Sequence, residues 1–146
     1  MPYHILSAPC LRIIQDKNSG LTSLMDIVDT AFVEPDKEPS LPPFKLFSKW
    51  GKSTPENELE KFDVKLSLSG PKIKRKKQLD KFSVEIPQNA SGVTMMLDLG
   101  AIKVNEAGLW FIHIAFKSPS KGKWKVVCAL PFMVRNKPSN ITEQVA

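Results

Sequence analysis

The chain has 146 residues, of which 42% are hydrophobic and 25% charged, and its formal net charge is +6. This length suits one domain with its own core, and the composition is that of a soluble globular protein. No apolar run reaches the roughly 20 residues of a membrane-spanning helix. The first residues also lack the basic leader and apolar segment of a secretory signal, so the sequence predicts a cytoplasmic protein.

The first third of the chain predicts two paired strands. Residues 4–16 form the first, and Pro9 within it predicts an edge strand or a bulge, because proline has no N–H to donate. The turn that follows contains Gly20, which can adopt positive φ. Residues 21–33 predict the returning strand. A helix is the alternative there, because four apolar residues recur at three- and four-residue spacing: Leu21, Leu24, Met25 and Val28.

Short apolar runs separated by polar segments predict four more strands in the middle of the chain. They cover residues 44–50, 62–69, 82–86 and 93–99. The clearest is 62–69, in which apolar residues alternate with Asp, Lys and Ser, as in a strand with one buried face. The connections are a proline-rich loop at 34–43, a polar segment at 51–61 and a basic segment at 72–77.

A long β-hairpin over residues 109–135 dominates the last third. Apolar residues occupy alternate positions on both strands, so each strand has one apolar face. These residues are Trp110, Ile112, Ile114 and Phe116 on the first strand, and Trp124, Val126, Cys128, Leu130, Phe132 and Val134 on the second. The pattern predicts that Trp110 and Trp124 both belong to the core. A hairpin with one apolar face needs a second layer to cover that face.

About eight strands, with turn signals every 8–12 residues, predict an all-β fold, an antiparallel two-sheet β-sandwich. An up-and-down barrel is the alternative. We expect one domain over residues 1–136, followed by a flexible polar tail at 137–146. Cys10 and Cys128 fall in apolar strands, where reduced and buried thiols are expected of a cytoplasmic protein.

Four stretches of the chain resemble an uncharacterised family of small bacterial β-sandwich proteins. They are LRIIQDKNSGLTSLMDIVDT at 11–30, LPPFKLFSKW at 41–50, GLWFI at 108–112 and LPFMV at 130–134. The similarity lies in a first strand with a glycine-containing turn, a Ser-Leu-x-x-Ile return strand, a late Gly-aromatic strand entry and a Pro-Phe-x-Val ending. The resemblance covers most of the domain and implies an immunoglobulin-like or C2-like sandwich. It carries over no catalytic or ligand-binding residue.

The second face of the terminal hairpin also carries apolar residues, which predicts a contact surface. The candidate residues on this face are Phe111, His113, Val127, Ala129 and Met133. A sheet that is apolar on both sides is typical of contact with another subunit or a partner protein. We therefore predict a protein partner or self-association through these residues. A loop that folds back over the face is the alternative.

A run of basic residues marks the connection between the strands at 62–69 and 82–86. It consists of Lys72, Lys74, Arg75, Lys76 and Lys77. Clustered cations attract phosphates and release counterions from nucleic acid, so this run is a candidate contact for nucleic acid or another anion. No aromatic residue is interleaved with it to stack on bases, and a solvated connection is the structural alternative. A second basic group lies at the tip of the terminal hairpin: Lys117, Lys121, Lys123 and Lys125.

Few side chains in the sequence suggest catalysis or metal binding. His4 and His113 are the only histidines, and no Gly-x-Ser-x-Gly motif or cysteine signature accompanies them. The cysteines and histidines are not paired at zinc-site spacing. Asp26 and Asp29 would face opposite sides of a strand, so they would not share a calcium ion. We therefore predict a non-enzymatic binding module without cofactor or metal. Nucleic-acid binding through 72–77 is the first alternative, and a hydrolase without a recognisable motif is the second.

Overall fold

The computed structural model describes residues 2–33, 40–55, 57–73, 75–100, 102–104, 106–119 and 122–137. This part of the chain contains nine β-strands and no helix. The strands are β1 (Tyr3–Gln15), β2 (Thr22–Ile27), β3 (Thr30–Val33), β4 (Phe44–Gly51), β5 (Glu60–Ser69), β6 (Lys77–Ile86), β7 (Gly92–Leu99), β8 (Gly108–Lys117) and β9 (Lys125–Asn136). They form a four-stranded sheet in the order β2-β1-β4-β7 and a five-stranded sheet in the order β3-β9-β8-β5-β6.

Residues of both sheets contribute to one buried cluster, and the predicted all-β fold with two sheets is confirmed. The predicted strands at 44–50, 62–69 and 93–99 correspond to β4, β5 and β7, and the terminal hairpin corresponds to β8 and β9. β6 begins earlier than predicted, at Lys77. The last residue of the basic run is therefore part of a strand and not of a connection.

The segment predicted as a single returning strand forms two strands in different sheets. β2 pairs with β1 in the four-stranded sheet, whereas β3 joins the edge of the five-stranded sheet beside β9. Val28 and Asp29 separate the two strands. The Val28 N–H donates to the carbonyl of Pro9 in the first sheet, and the Asp29 carbonyl accepts from the N–H of Met133 in the second. The helix alternative is therefore wrong as well.

β3 and β9 run parallel, so the prediction of a wholly antiparallel fold is wrong at this pair. Strands joined by a tight hairpin must be antiparallel. β3 and β9 are far apart in the sequence, and the chain enters β3 from the other sheet, so the pair is free to be parallel. The pair joins Thr30 to Met133 and Val33 to Asn136. The Lys137 N–H donates to the carbonyl of Val33, so the first residue of the predicted tail is hydrogen-bonded to β3. The rest of that tail, at 138–146, lies outside the described residues.

Pro9 does not mark a sheet edge, because β1 lies between β2 and β4. The first half of β1 pairs with β4 and its second half with β2, and Cys10 pairs with both. The Pro9 carbonyl faces β2 and accepts from Val28. The nitrogen of Pro9 points toward β2 as its carbonyl does, just past the last β1–β2 pair at Cys10. The missing N–H of Pro9 therefore removes no hydrogen bond between β1 and β4. The irregularity in β1 occurs at Ile5 instead.

The core between the sheets is built around two tryptophans. Trp50 of β4 and Trp110 of β8 are 0% and 1% exposed. The ring centre of Trp50 lies 5.1 Å from that of Phe62 on the opposite sheet, so aromatic contact joins the two layers. Both indole N–H groups are satisfied, because Trp50 donates to Oγ of Ser48 and Trp110 donates to the carbonyl of Glu106. Full burial of a large apolar side chain contributes roughly 1.5 to 3 kcal/mol to stability.

Candidate functional site

The outer face of the five-stranded sheet, which is the side turned away from the core, is the candidate binding surface. On β8 it carries Phe111 and His113, because the residues that alternate with them belong to the core. Across the ladder on β9, Ala129 lies opposite His113, and Met133 lies opposite Leu109. Leu109 is 45% exposed. We call one part of this surface the apolar end of the outer face and define it by Leu109, Phe111, Pro131 and Met133.

Val127, the fifth predicted interface residue, does not belong to the outer face. The ladder joins Ile114 to Cys128 and then Ala115 to Val126, so Val127 has no partner in it. At this β-bulge Val127 packs against the buried cluster, as Cys128 does. Consecutive apolar residues conceal the bulge in the sequence, because no alternation can be followed through them.

The same bulge reverses the alternation of the residues before it, and Trp124 therefore lies on the outer face. The prediction that Trp124 belongs to the core is wrong, because a shift of one residue moves each side chain to the opposite face. Three lysine Nζ atoms lie over its ring. Their distances from the ring centre are 4.5 Å for Lys65, 5.1 Å for Lys117 and 5.7 Å for Lys81. These are cation–π distances.

Neighbouring strands build this lysine–tryptophan cluster, which we define by Lys65, Lys81, Lys117 and Trp124. Lys65 on β5 pairs with Lys81 on β6 and with Ala115 on β8, two residues before Lys117. Ala115 is buried although it faces outward. Within the described ranges, none of the three lysines forms an ion pair with a carboxylate. The cluster therefore carries three positive charges without an ion-pair contact, although Asp63 lies opposite Lys117 in the ladder.

The structure describes four of the five residues of the basic run that was predicted as an anion contact. Lys72 has its Nζ 3.1 Å from Oε2 of Glu106, so this charge is already paired. Arg75 is exposed in the connection before β6, and Lys77 is the first residue of that strand. Lys74 lies outside the described residues.

Lys76 and His113 connect the basic run to the outer face. Burial lowers the pKa of His113, and the charge of the nearby Lys76 lowers it further, so the imidazole is neutral at pH 7. Nε2 of His113 lies 2.7 Å from Oγ of Ser69. The ring centre of His113 lies 6.0 Å from that of Phe111. The histidine therefore stands at the boundary between the apolar end and the charged residues.

Two serine–histidine pairs bear on the hydrolase alternative. Besides Ser69 and His113, Nε2 of His4 lies 2.7 Å from Oγ of Ser7, which lies 2.8 Å from Oγ of Ser48. These distances match those of a nucleophile and its base. Among the residues that the structure describes, however, no carboxylate hydrogen-bonds to either imidazole in the way that orients a catalytic histidine. Ser7 is also buried, out of reach of a substrate.

The four-stranded sheet has an apolar outer surface of its own, which the sequence patterns did not reveal. Leu6, Ile27 and Met96 are exposed there near the buried ring of Phe47. Pairing of β4 with its two neighbours places Phe47 between Ala8 and Met96. Each strand contributes only one or two of these residues. Only the order of the strands brings them together.

An apolar cleft lies beside β3. Its wall includes Leu11, Val28, Ala31, Phe32, Leu41 and Phe44. Sites for small molecules usually combine such walls with a few convergent polar groups that fix the ligand. In the described lining the only polar side chain is that of Thr30, so the cleft has few polar groups that could orient a ligand.

The described residues include no group of side chains arranged as a metal site and no activated cysteine. No three His, Cys, Asp or Glu side chains there come together as metal ligands would. Cys10 and Cys128 are free thiols, and burial raises the pKa of both, which keeps them protonated and weakly nucleophilic. No helix in this part of the chain could span a membrane.

Comparison with known proteins adds no functional assignment. No model of a known protein family matches the chain, and no curated protein sequence matches it either. The function is therefore inferred from the surfaces themselves. The outer face of the five-stranded sheet combines exposed apolar side chains with a cluster of three lysines, and the cleft does not.

Proposed function

We propose that the protein is a non-enzymatic interaction module that binds an acidic partner protein on the outer face of its five-stranded sheet. One observation supports this most: the apolar end and the lysine–tryptophan cluster share this face. β8 connects them, because it runs from Leu109 at the apolar end to Lys117 in the cluster. The eight residue steps span about 27 Å at the rise of a strand. A surface of this length suits one side of an ordinary interface, about 800 Å².

The two regions contribute differently to binding. Burial of Leu109, Phe111 and Met133 against a partner removes apolar surface from water, at roughly 25 cal/mol per Å². The lysines attract an acidic surface over a longer range and speed association, an effect that salt weakens. The net charge of +6 favours acidic partners in the same way.

The finer expectations from the sequence belong to this proposal. The immunoglobulin-like or C2-like type of sandwich is supported by two sheets of four and five strands together with the resemblance quoted above. A non-enzymatic role is supported by the surroundings of the two serine–histidine pairs. In the described part of the chain, neither histidine has a carboxylate that would orient it for catalysis.

Single-stranded nucleic acid is the second candidate, and one observation favours it. The basic run contains no aromatic residue, but Trp124 lies among lysines on the outer face. Proteins that bind single strands combine an aromatic platform with cations in this way. We rank this candidate second because Lys72 is already ion-paired and the apolar end offers nothing to a phosphate backbone.

Selection of peptides from a displayed random library on the wild-type protein tests the proposed function. Bound peptides are sequenced and their affinities are then measured on two variants. Leu109→Gln removes a side chain of the apolar end. Leu59→Gln is the matched control, because Leu59 is 40% exposed but lies just before β5, away from the apolar end.

We expect the selected peptides to combine acidic and apolar residues. They should bind Leu59→Gln as they bind the wild type, and bind Leu109→Gln about tenfold more weakly, which corresponds to about 1.4 kcal/mol. Peptides that are not enriched in acidic residues, or that bind both variants equally, would refute the proposal. Displacement of the peptides by oligodeoxythymidine at low salt would favour the nucleic-acid candidate.

A further inference from the structure

We propose that the lysine–tryptophan cluster is a binding site for one phosphate group, carried on a phosphorylated segment of the partner protein. This inference rests on the proposed function, because the phosphate belongs to the protein that binds the outer face. It assigns to the cluster a ligand chemistry that differs from that of ordinary acidic side chains.

The cluster holds three positive charges around one indole ring. The Nζ atoms of Lys65, Lys117 and Lys81 lie between 4.5 and 5.7 Å from the centre of the Trp124 ring. Three ammonium groups around one ring repel each other, and the described part of the chain supplies no carboxylate in ion-pair contact with them. The electron-rich face of the ring offsets part of this repulsion. An anion that binds beside the ring, in contact with the ammonium groups, removes the rest.

A phosphate monoester matches this arrangement better than a carboxylate does. It carries a charge of about −1.5 to −2 at pH 7 and three strong acceptor oxygens, so one group can accept from three separate lysines. A carboxylate has one charge and two oxygens, and its planar shape is matched by the guanidinium of arginine. Lysine ammonium groups bind phosphate as point charges.

The surroundings of the cluster favour one isolated phosphate over a chain of phosphates. Asp63 on β5 lies opposite Lys117 and accepts a hydrogen bond from Ser83, with 2.7 Å between Oδ1 and Oγ. Glu85 follows two residues later on β6. In the other direction along β8 the outer face becomes apolar. A nucleic-acid strand would carry its next phosphates onto the carboxylates or the apolar end, whereas a peptide with one phosphorylated side chain would not.

The indole N–H signals in NMR spectra of the nitrogen-15-labelled protein allow a direct test. The chain has three tryptophans, and Trp124→Phe identifies the signal of Trp124 by its loss. Inorganic phosphate is titrated into the full-length protein at constant ionic strength, in exchange for chloride. We expect a saturable shift of the Trp124 signal and none at Trp50 or Trp110, because both are buried.

Charge-neutral variants then locate the site. Lys65→Gln and Lys117→Gln should each weaken phosphate binding about tenfold, the effect expected when one charge-assisted hydrogen bond is lost. Lys49→Gln removes an exposed lysine from the four-stranded sheet and should leave the affinity unchanged. A Gly-phosphoserine-Gly peptide should shift the same signal as phosphate does. The Gly-Glu-Gly peptide should bind about tenfold more weakly.

Three results would overturn the assignment. One is the absence of a saturable shift with phosphate, and another is equal binding of the phosphoserine and glutamate peptides. The third is binding of oligodeoxythymidine that exceeds that of the phosphoserine peptide and strengthens with length, which would give the cluster to nucleic acid. Because the probe is phosphate itself, saturable binding with a failed peptide selection would refute the proposed function and keep the site. A successful selection without phosphate binding would do the reverse.

Discussion

The ammonium group of Lys65 lies 4.5 Å from the centre of the Trp124 ring, on the side of the five-stranded sheet turned away from the core. This contact exists because the bulge at Val127 shifts β9 by one residue relative to β8. Trp110 lies at the other end of the same hairpin and is buried. The two tryptophans therefore have different environments, although the sequence pattern treats them alike.

Alanine substitutions should separate the two tryptophans. Trp110→Ala leaves a cavity in the core and should lower the free energy of unfolding by about 3 to 5 kcal/mol. Trp124→Ala removes cation–π contacts on the surface and should lower it by about 1 kcal/mol. Urea denaturation of both variants checks this. Equal losses would mean that Trp124 is a core residue after all.

Glutamate substitutions should distinguish the two sides of β9. Val127 packs against the core at the bulge, so Val127→Glu places a charge against apolar side chains and should cost about 2 kcal/mol or more. Ala129 is exposed on the outer face, and Ala129→Glu should change stability by no more than about 0.5 kcal/mol. Thermal denaturation of the two variants measures the difference. An unchanged melting temperature for Val127→Glu would contradict the bulge.

Gly70 should not accept a larger residue. A Cβ atom at this position would lie 2.5 to 2.6 Å from ring atoms of Trp110, which is buried and cannot move aside freely. Gly70→Ala should therefore cost about 1 to 3 kcal/mol through overpacking. Gly100→Ala is the control, because a Cβ there meets nothing within 4 Å. Chemical denaturation should show the loss for Gly70→Ala alone.

Glu60 should make stability depend on pH in the acid range. Burial alone would raise the pKa of Glu60, but hydrogen bonds from Thr54 and Ser53 outweigh it, and the pKa lies below its ordinary value of 4.5. A carboxylate with a lowered pKa stabilises the fold above the unfolded-state pKa. This contribution is lost as the pH falls through the lowered folded-state value.

Glu60→Gln should therefore reduce stability at pH 7 by about 1.5 to 3 kcal/mol, the contribution of hydrogen bonds to a charged group. It should also flatten the loss of stability below about pH 4.5. Urea denaturation at pH 7 and at pH 3 measures both effects. Glu58→Gln, at an exposed neighbour, should change neither. An acid transition that Glu60→Gln leaves intact would place its origin elsewhere.

The sequence patterns predicted the buried face correctly where apolar and polar residues alternate within a single strand. In β5, Phe62, Val64 and Leu66 alternate with polar residues, and all three are buried. The outward positions of Phe111 and Met133 followed from the same alternation. They failed at residues 21–33, because apolar and polar residues are mixed throughout this segment and nothing local marks the change of sheet at Val28 and Asp29. They failed again at Val127, where consecutive apolar residues hide the bulge.

The sequence by itself determined that this is an all-β protein of two layers, because period-two alternation of apolar residues is a local property that needs a second layer to cover it. Only the tertiary structure decided that β3 pairs with β9 and that Trp124 contacts lysines of three strands. These contacts depend on hydrogen bonds between strands that are distant along the chain. Their register sets which side chains share a face, and no single stretch of sequence encodes it.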